Sequence, residues 1–132
     1  MIKMGLLGGT FDPVHLGHLT VAEDVLTQLS LSRIMFIPDR QPSLKTDRNI
    51  TPVEHRLAML KLAVGKNQHF KVSTSDFGRT GPSYSVDIVS VIKNELGSSV
   101  DLFFIAGLDA LMKLSMWKDP LKLIQLCRIV AI

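Results

Sequence analysis

Short apolar runs of strand length alternate along this chain with longer stretches of helical periodicity. Parallel strands need long crossover connections, which are usually helices, so the alternation predicts an α/β fold with an open parallel sheet and flanking helices. The predicted strands are 2–7, 33–38, 70–73, 102–106 and 128–132. The apolar runs LFFIA and IVAI in the last two are typical of strands buried on both faces.

Helical periodicity covers 18–29, a stretch beginning at Thr51, 85–96 and 121–126. The start at Thr51 is the best marked, because Glu54 follows three residues later and Pro52 stands at the first helical position. This combination predicts a capping box. The apolar face predicted for this helix consists of Leu57, Leu60, Leu62 and Ala63.

A length of 132 residues suits one domain, 1–132, and 46% apolar with 20% charged residues is ordinary globular composition. No apolar run reaches the roughly 20 residues of a membrane helix, and the start lacks the pattern of a signal peptide, so we expect a cytoplasmic protein without a membrane partner. The single cysteine, Cys127, is expected to be a buried thiol.

The net charge of +3 favours an anionic partner, but the basic residues are scattered along the chain. Nucleotide phosphates satisfy this charge as well as nucleic acid does. Without zinc-finger spacing or a basic helix, nucleic-acid binding is the weaker alternative.

The segment GGTFDPVHLGHL, 8–19, follows the first predicted strand and runs into the first helix. Gly8 and Gly9 allow the backbone to approach a ligand, and a helix start offers unpaired amide hydrogens to an anion. The segment matches neither the P-loop nor the G-x-G-x-x-G fingerprint. It therefore predicts a phosphate site that differs from both.

His15 and His18 lie three residues apart at this helix start and should share one face. Two imidazoles there can donate hydrogen bonds to phosphates and stabilise the charge on a leaving phosphate, and Gly17 would leave room for the nucleotide. Helix capping and a metal site are the alternatives, the latter with a poor ligand set. Asp12 could orient a histidine or cap the turn.

The residues 8–18, GGTFDPVHLGH, resemble the H-x-G-H signature of the nucleotidylyltransferase superfamily, in the form found in its nicotinate-mononucleotide adenylyltransferase branch. The resemblance continues through IPDRQPSLK, GRTGPSYSVD and IAGLDALMKLSMW. It implies a Rossmann-like sheet and adenylyl transfer from ATP to nicotinate mononucleotide, which forms deamido-NAD and pyrophosphate in NAD biosynthesis. Mg²⁺ is implied as the companion of ATP.

The resemblance also implies two sets of site residues. The ATP-binding set is Gly8, Gly9, Thr10, Phe11, His15, Gly17, His18, Lys45, Gly107 and Asp109, with His15 and His18 catalytic. The set for the pyridine mononucleotide is Gly81, Pro82, Ser83, Tyr84, Ser85 and Trp117.

From the residues themselves, several of these assignments keep an alternative. Trp117 could stack on a pyridine ring or pack in the core. Asp109 follows a strand and could contact a ribose or cap a helix. Arg79 could meet a phosphate or carboxylate, or lie at the surface, and the polar loop 39–49 could face substrate or solvent.

The chain departs from the family pattern in two places. Leu44 stands where the family usually has a histidine before its lysine, and nothing after Trp117 resembles the Ile-Ser-x-Thr signature that binds triphosphate. We therefore expect a C-terminally truncated core. The alternatives are a non-catalytic or impaired nucleotide-binding fragment, or an adenylyltransferase for another acceptor such as nicotinamide mononucleotide, and a homo-oligomer stays open.

Overall fold

The computed structural model describes residues 1–41 and 49–132, and in them parallel strands form a sheet in the order β3-β2-β1-β4-β5. The strands are β1 Ile2–Gly9, β2 Arg33–Pro38, β3 Phe70–Val72, β4 Val100–Ala106 and β5 Arg128–Ala131. The helices are α1 Leu16–Gln28, α2 Val53–Val64, α3 Ser85–Leu96, α4 Leu108–Leu111 and α5 Pro120–Leu126, with a 3₁₀ turn over Leu114–Met116. The predicted α/β fold is confirmed.

The strand order reverses at β1. The chain passes from β1 outward to β2 and β3, and then returns to lay β4 and β5 on the other side of β1. In register, Leu7 of β1 faces Phe36 of β2 on one side and Ile105 of β4 on the other. Connections leave β1 and β4 in opposite directions, which opens a crevice at their carboxyl ends, where ligands of such sheets bind.

Hydrophobic residues pack on both faces of the sheet. Successive side chains of a strand point to opposite faces, so Leu7 joins the core beneath α1 and α2 whereas Leu6 joins the core beneath α3 and α5. The first core also contains Phe36, and the second contains Ile92. Helices on both faces explain why the central strands are continuously apolar.

The strand at 33–38 and the helix at 85–96 were predicted with their observed bounds. The short α4 and the 3₁₀ turn were missed because neither is long enough to show a period. The prediction that β5 is buried on both faces was wrong, since Arg128 and Ala131 are exposed. Within the described sheet β5 pairs with β4 alone, so less of it is covered.

The predicted capping box of α2 was also wrong. This helix begins at Val53 after Pro52, which caps it without a side-chain hydrogen bond. Thr51 instead donates its backbone N–H to the Asp12 carboxylate at 2.9 Å. The predicted apolar face was only partly right, because Leu62 is 85% exposed. The buried residues are Arg56, Leu60 and Val64.

None of the helices in the described ranges combines the length and apolar character required to cross a membrane.

Candidate functional site

Phe11 packs on the core side of the turn between β1 and α1. This residue has a positive φ of 50° and its side chain is 2% exposed. Its ring lies edge-on to the ring of His18, with 5.0 Å between centroids, and 5.9 Å from the ring of Phe36. A Cβ added at Gly9 would lie 3.3 Å from Phe11 Cζ, so the glycine lets the ring sit under the turn. Phe11 thus holds His18 from the core side.

His15 and His18 form a reciprocal cap at the start of α1. The Nδ1 atom of His15 accepts the backbone N–H of Gly17 at 3.1 Å, and the backbone N–H of His15 donates to Nδ1 of His18 at 3.1 Å. The two rings stack with centroids 3.8 Å apart. A ring nitrogen that accepts a hydrogen bond carries no hydrogen, so in the neutral rings the hydrogen lies on Nε2. Both imidazoles therefore have Nε2 as their donor atom.

The first turn of α1 differs from the expectation of unpaired amide hydrogens. The Gly17 amide is bonded to the ring of His15, and the His18 amide donates to the carbonyl of His15 at 3.1 Å. The sequence analysis expected Gly17 to leave room for a nucleotide. In the structure the ring of His15 occupies that room, because a Cβ added at Gly17 would lie 2.9 Å from His15 Cε1. These two backbone amides therefore already have hydrogen-bond partners within the protein.

Arg56 of α2 is a site residue that the sequence analysis missed. Arg56 is 1% exposed, and its guanidinium donates to the carbonyls of Thr10 at 2.8 Å, Asp39 at 2.8 Å and Thr51 at 2.7 Å. Burial lowers the pKa of this guanidinium below its usual value, while the charges of nearby carboxylates, first Asp12, raise it. One buried cation thus joins the loops that follow β1 and β2. Its spacing with Leu60 and Val64, at i, i+4 and i+8, is the signal that could have revealed its burial.

A cavity of about 580 Å³ opens at the carboxyl ends of β1 and β4. It brings together predicted residues from both sets. From the ATP set it is lined by Gly8, Gly9, Thr10 and Gly107, and from the pyridine set by Ser83, Tyr84, Ser85 and Trp117. Residues that the sequence analysis did not select complete the wall, namely Ile37, Asp39, Ile88, Phe104, Ile105, Ala106, Ala110, Lys113, Met116 and Lys118.

Other predicted residues lie outside this lining. His15, Gly17 and His18 stand at the neighbouring helix start, and Asp109 is exposed in the first turn of α4. Gly81 and Pro82 precede the lining segment 83–85, with Gly81 at a φ of 78°. Lys45 and Leu44 lie outside the described residues, as does most of the loop 39–49.

The aromatic rings of the cavity wall pack against a core residue and lie beside charged side chains. Trp117 is half-buried and packs edge-on against Phe104, with 6.1 Å between centroids. Lys118 Nζ lies 5.0 Å from the centroid of the Tyr84 ring and 2.8 Å from the Asp87 carboxylate. Lys118 therefore places a positive charge beside the flat rings that line the cavity.

Arg79 is bound within the protein. Its guanidinium pairs with Asp76 at 2.7 Å and with Asp87 at 3.0 Å. The sequence analysis expected Arg79 either to meet a phosphate or carboxylate or to lie at the surface, and the structure places it against two carboxylates. The guanidinium is held by carboxylates of the chain itself.

Comparison with known proteins adds to this geometry. The model of the cytidylyltransferase-like family matches residues 6–132. The chain belongs to this family. A relative from Dehalococcoides mccartyi, named probable nicotinate-nucleotide adenylyltransferase, is 42% identical over 130 residues, which is 98% of this chain and 64% of the relative. One of the same name from Thermomicrobium roseum is 46% identical over 126 residues, 96% of this chain and 58% of the relative.

Solved structures show the same fold at low sequence identity. A putative nicotinate-nucleotide adenylyltransferase from Vibrio parahaemolyticus superposes with a TM-score of 0.81 at 16% identity, covering 99% of this chain and 73% of the other. The nicotinic acid mononucleotide adenylyltransferase of Plasmodium falciparum, solved in complex with NaAD, gives a TM-score of 0.74 at 16% identity, covering 100% and 75%. This cytidylyltransferase-like chain spans less than two thirds of the length of the curated relatives above.

In the part of this cytidylyltransferase-like chain that the structure describes, no three His, Cys, Asp or Glu side chains form a group that could hold a metal ion. Asp39, after β2, is a carboxylate of the cavity wall, and Lys113 and Lys118 are its cations. The crevice thus combines two ammonium groups and flat rings in its lining, and two imidazole donors stand at the neighbouring helix start. Such a set can hold anionic, ring-bearing ligands.

Proposed function

We propose that this chain is the substrate-binding core of a nicotinate-nucleotide adenylyltransferase. The reaction is adenylyl transfer from ATP to nicotinate mononucleotide, which forms deamido-NAD and pyrophosphate in NAD biosynthesis. The observation that carries the proposal is the single cavity at the β1/β4 crevice, lined both by Gly8–Thr10 and by Ser83, Tyr84 and Trp117. This transfer requires two nucleotides to lie end to end across one crevice. The names of the relatives from Dehalococcoides and Thermomicrobium support the same reaction.

On the ATP side, we assign the triphosphate to the β1–α1 turn. Gly8 and Gly9 line the cavity, and the imidazoles of His15 and His18 are assigned to donate from Nε2 to the phosphate oxygens. The positive end of the α1 dipole adds to this attraction. Asp109 and Gly107, after β4, are assigned to the nucleoside of ATP, and Lys45 to its phosphates.

The transfer itself needs no protein nucleophile. A phosphate oxygen of the mononucleotide attacks the α-phosphorus of ATP in line, the new P–O bond forms, and the bond from the α-phosphorus to the bridging oxygen breaks. Its electrons leave with pyrophosphate. Catalysis then consists of positioning and of stabilising the charge on the leaving group, which the two imidazole donors supply.

Mg²⁺ enters this reaction as part of the substrate Mg–ATP. In sites of this kind Mg²⁺ is held by phosphate oxygens, waters and one or two carboxylates, and Asp39 is the carboxylate that lines the cavity here. The ion supplies neutralisation of the triphosphate charge.

On the acceptor side, we assign the pyridine ring to Trp117 and the segment 81–85. Trp117 and Tyr84 supply flat apolar surfaces, and Lys113 and Lys118 supply positive charge for a carboxylate or a phosphate. We keep a cytoplasmic location and the possibility of a homo-oligomer as predictions.

The test is release of pyrophosphate from Mg–ATP with nicotinate mononucleotide, nicotinamide mononucleotide or phosphopantetheine as acceptor. It is run on this chain and on a version extended to the length of the relatives. Pyrophosphate release with a pyridine mononucleotide, but not with phosphopantetheine, supports the proposal. If both versions bind ATP but release no pyrophosphate in the presence of any of the acceptors, a non-catalytic nucleotide-binding module is favoured instead.

A further inference from the structure

Asp76 is a fully buried carboxylate, 0% exposed, in the segment between β3 and α3. It accepts hydrogen bonds from the backbone N–H of Arg40 at 2.8 Å, from Nη1 of Arg79 at 2.7 Å and from the hydroxyl of Ser83. A buried carboxylate is costly unless it is paired and hydrogen-bonded. Here both carboxylate oxygens are used, so the charge is compensated by groups from different parts of the chain.

The donors of Asp76 come from two segments that meet at the cavity. Arg40 follows β2, and Ser83 begins the stretch that lines the cavity wall. The two segments are also joined directly, because the Ser83 N–H donates to the carbonyl of Gln41 at 2.6 Å and the Gln41 N–H donates to Ser83 Oγ at 3.1 Å. Asp76 bonds to both sides of this junction and so fixes one against the other.

A second connection leads from Asp76 to Lys118, another residue of the cavity wall. Arg79 bridges Asp76 to Asp87, and Asp87 also accepts from Lys118 Nζ at 2.8 Å. Lys118 lies over the Tyr84 ring. Both the 83–85 stretch and Lys118 are therefore tied to the same buried carboxylate.

We propose that Asp76 is a positioning residue for the acceptor side of the site, where it holds the 83–85 stretch in the geometry that binds the pyridine mononucleotide. Asp76 does not line the cavity and acts through Ser83. The proposal rests on the function proposed above. It predicts a defect that is larger for the mononucleotide than for ATP. Ser83 and Arg79 connect Asp76 to the acceptor wall, whereas its contact on the loop after β2 is with the backbone N–H of Arg40.

The variants that test this are Asp76→Asn and Asp76→Ala. Asparagine keeps the shape but replaces one acceptor oxygen by a donor, so at least one of the three hydrogen bonds is lost. Alanine removes all three, and the asparagine variant covers the case in which the alanine variant does not fold. The matched control is Asp101→Asn, which removes a carboxylate paired with Arg128 at the other end of β4.

Two measurements are made on the 132-residue chain. Residue-resolved amide exchange follows Arg40, Gln41 and Ser83, and calorimetric titration follows nicotinate mononucleotide and, separately, Mg–ATP. We expect both Asp76 variants to speed exchange at these amides and to raise the Kd for the mononucleotide at least tenfold, about 1.4 kcal/mol, with the Kd for Mg–ATP within about twofold. The control should leave all of these values unchanged.

Each alternative outcome is distinguishable. Unchanged exchange at Ser83 overturns the positioning role whether or not ligand binds. Faster exchange with an unchanged Kd for the mononucleotide overturns it too, since Asp76 would then be structural only, and an equal loss of both ligands would mean a general loss of structure. Failure of the wild-type chain to bind the mononucleotide would instead overturn the proposed function.

Discussion

His18 caps His15, and the two imidazoles stack with 3.8 Å between their centroids. The backbone N–H of His15 donates to Nδ1 of His18, which leaves Nε2 as the donor atom of the neutral ring. One side chain thus serves the fold through one nitrogen, and the other nitrogen is the one that the proposed function assigns to phosphate. Sequence reasoning treated capping and phosphate contact as alternatives, and the geometry allows both at once.

In a version extended to the length of the relatives, we predict that His18→Ala lowers turnover by about 100- to 1000-fold, the usual effect of losing one donor to a developing charge. Loss of the cap should also lower the free energy of unfolding by about 1 kcal/mol. Comparison with His18→Asn separates the two roles. Asparagine can keep the capping acceptor but lacks the distal donor, so this variant should be stable yet inactive. Pyrophosphate release and urea unfolding measure the two effects. Near-normal turnover in a folded His18→Ala protein would contradict the assignment.

Arg56→Met should lower the free energy of unfolding by about 3 kcal/mol or more. Methionine is long and apolar, but it cannot donate to the carbonyls of Thr10, Asp39 and Thr51, and each buried acceptor left without a partner costs about 1–3 kcal/mol. Urea unfolding measures the loss, with His55→Ala, an exposed neighbour on the same helix, as the control. Equal stability of the two variants would mean that these carbonyls find other donors.

Gly5→Ala should destabilise the chain by about 1–3 kcal/mol, the usual range for overpacking. The added Cβ would lie 2.5 Å from Ile34 Cδ1 and 3.0 Å from Leu31 Cδ1, and Ile34 is fully buried with little room to shift. Gly78→Ala is the matched control, because nothing lies within 4 Å of its added Cβ. Thermal unfolding should separate the two variants, and a Gly5→Ala midpoint equal to that of Gly78→Ala would show that the core adjusts.

Cys127 should be unreactive in the folded chain at neutral pH. Burial raises the pKa of its thiol to about 11, an effect that the charge of Lys93 partly opposes, and only the thiolate reacts. Because the folded pKa is raised above the unfolded value, the associated stability is present at neutral pH and is lost as the pH rises toward 11. Labelling with a disulfide reagent checks this, and the urea-unfolded chain provides the fast reference. Labelling of the folded chain as fast as that reference at pH 8 would disprove it.

Nicotinate mononucleotide should be a better acceptor than nicotinamide mononucleotide. The acid form carries an extra negative charge, and Lys113 adds a positive charge to the cavity wall, whereas Arg79 and Lys118 are already paired with carboxylates of the chain. Specificity constants for the two acceptors, kcat/KM, measure the preference. Equal constants would remove the assignment to the nicotinate branch.

Local patterns were sufficient to predict the α/β order, the strand at 33–38, the helix at 85–96 and the position of the histidines at the first turn. Each of these depends on neighbours within a few residues, because backbone periodicity and a helix start are properties of a short segment. A phosphate contact, the alternative to capping at His15, was also predicted from neighbouring residues. The sequence indicated both possibilities, and the structure shows the capping and leaves the distal ring nitrogen in a position that does not take part in it.

Tertiary structure decided the remaining features. Arg56 is buried because the carbonyl of Thr10, 46 positions away, accepts its hydrogen bond, and Asp76 is buried because Arg40 and Ser83 meet there. The exposure of β5 depends on which strand lies beside it, and the cavity depends on the reversal of strand order at β1. Periodicity reports which way a side chain points along its own segment, whereas a buried charge is stabilised by partners that only the folded chain brings within bonding distance.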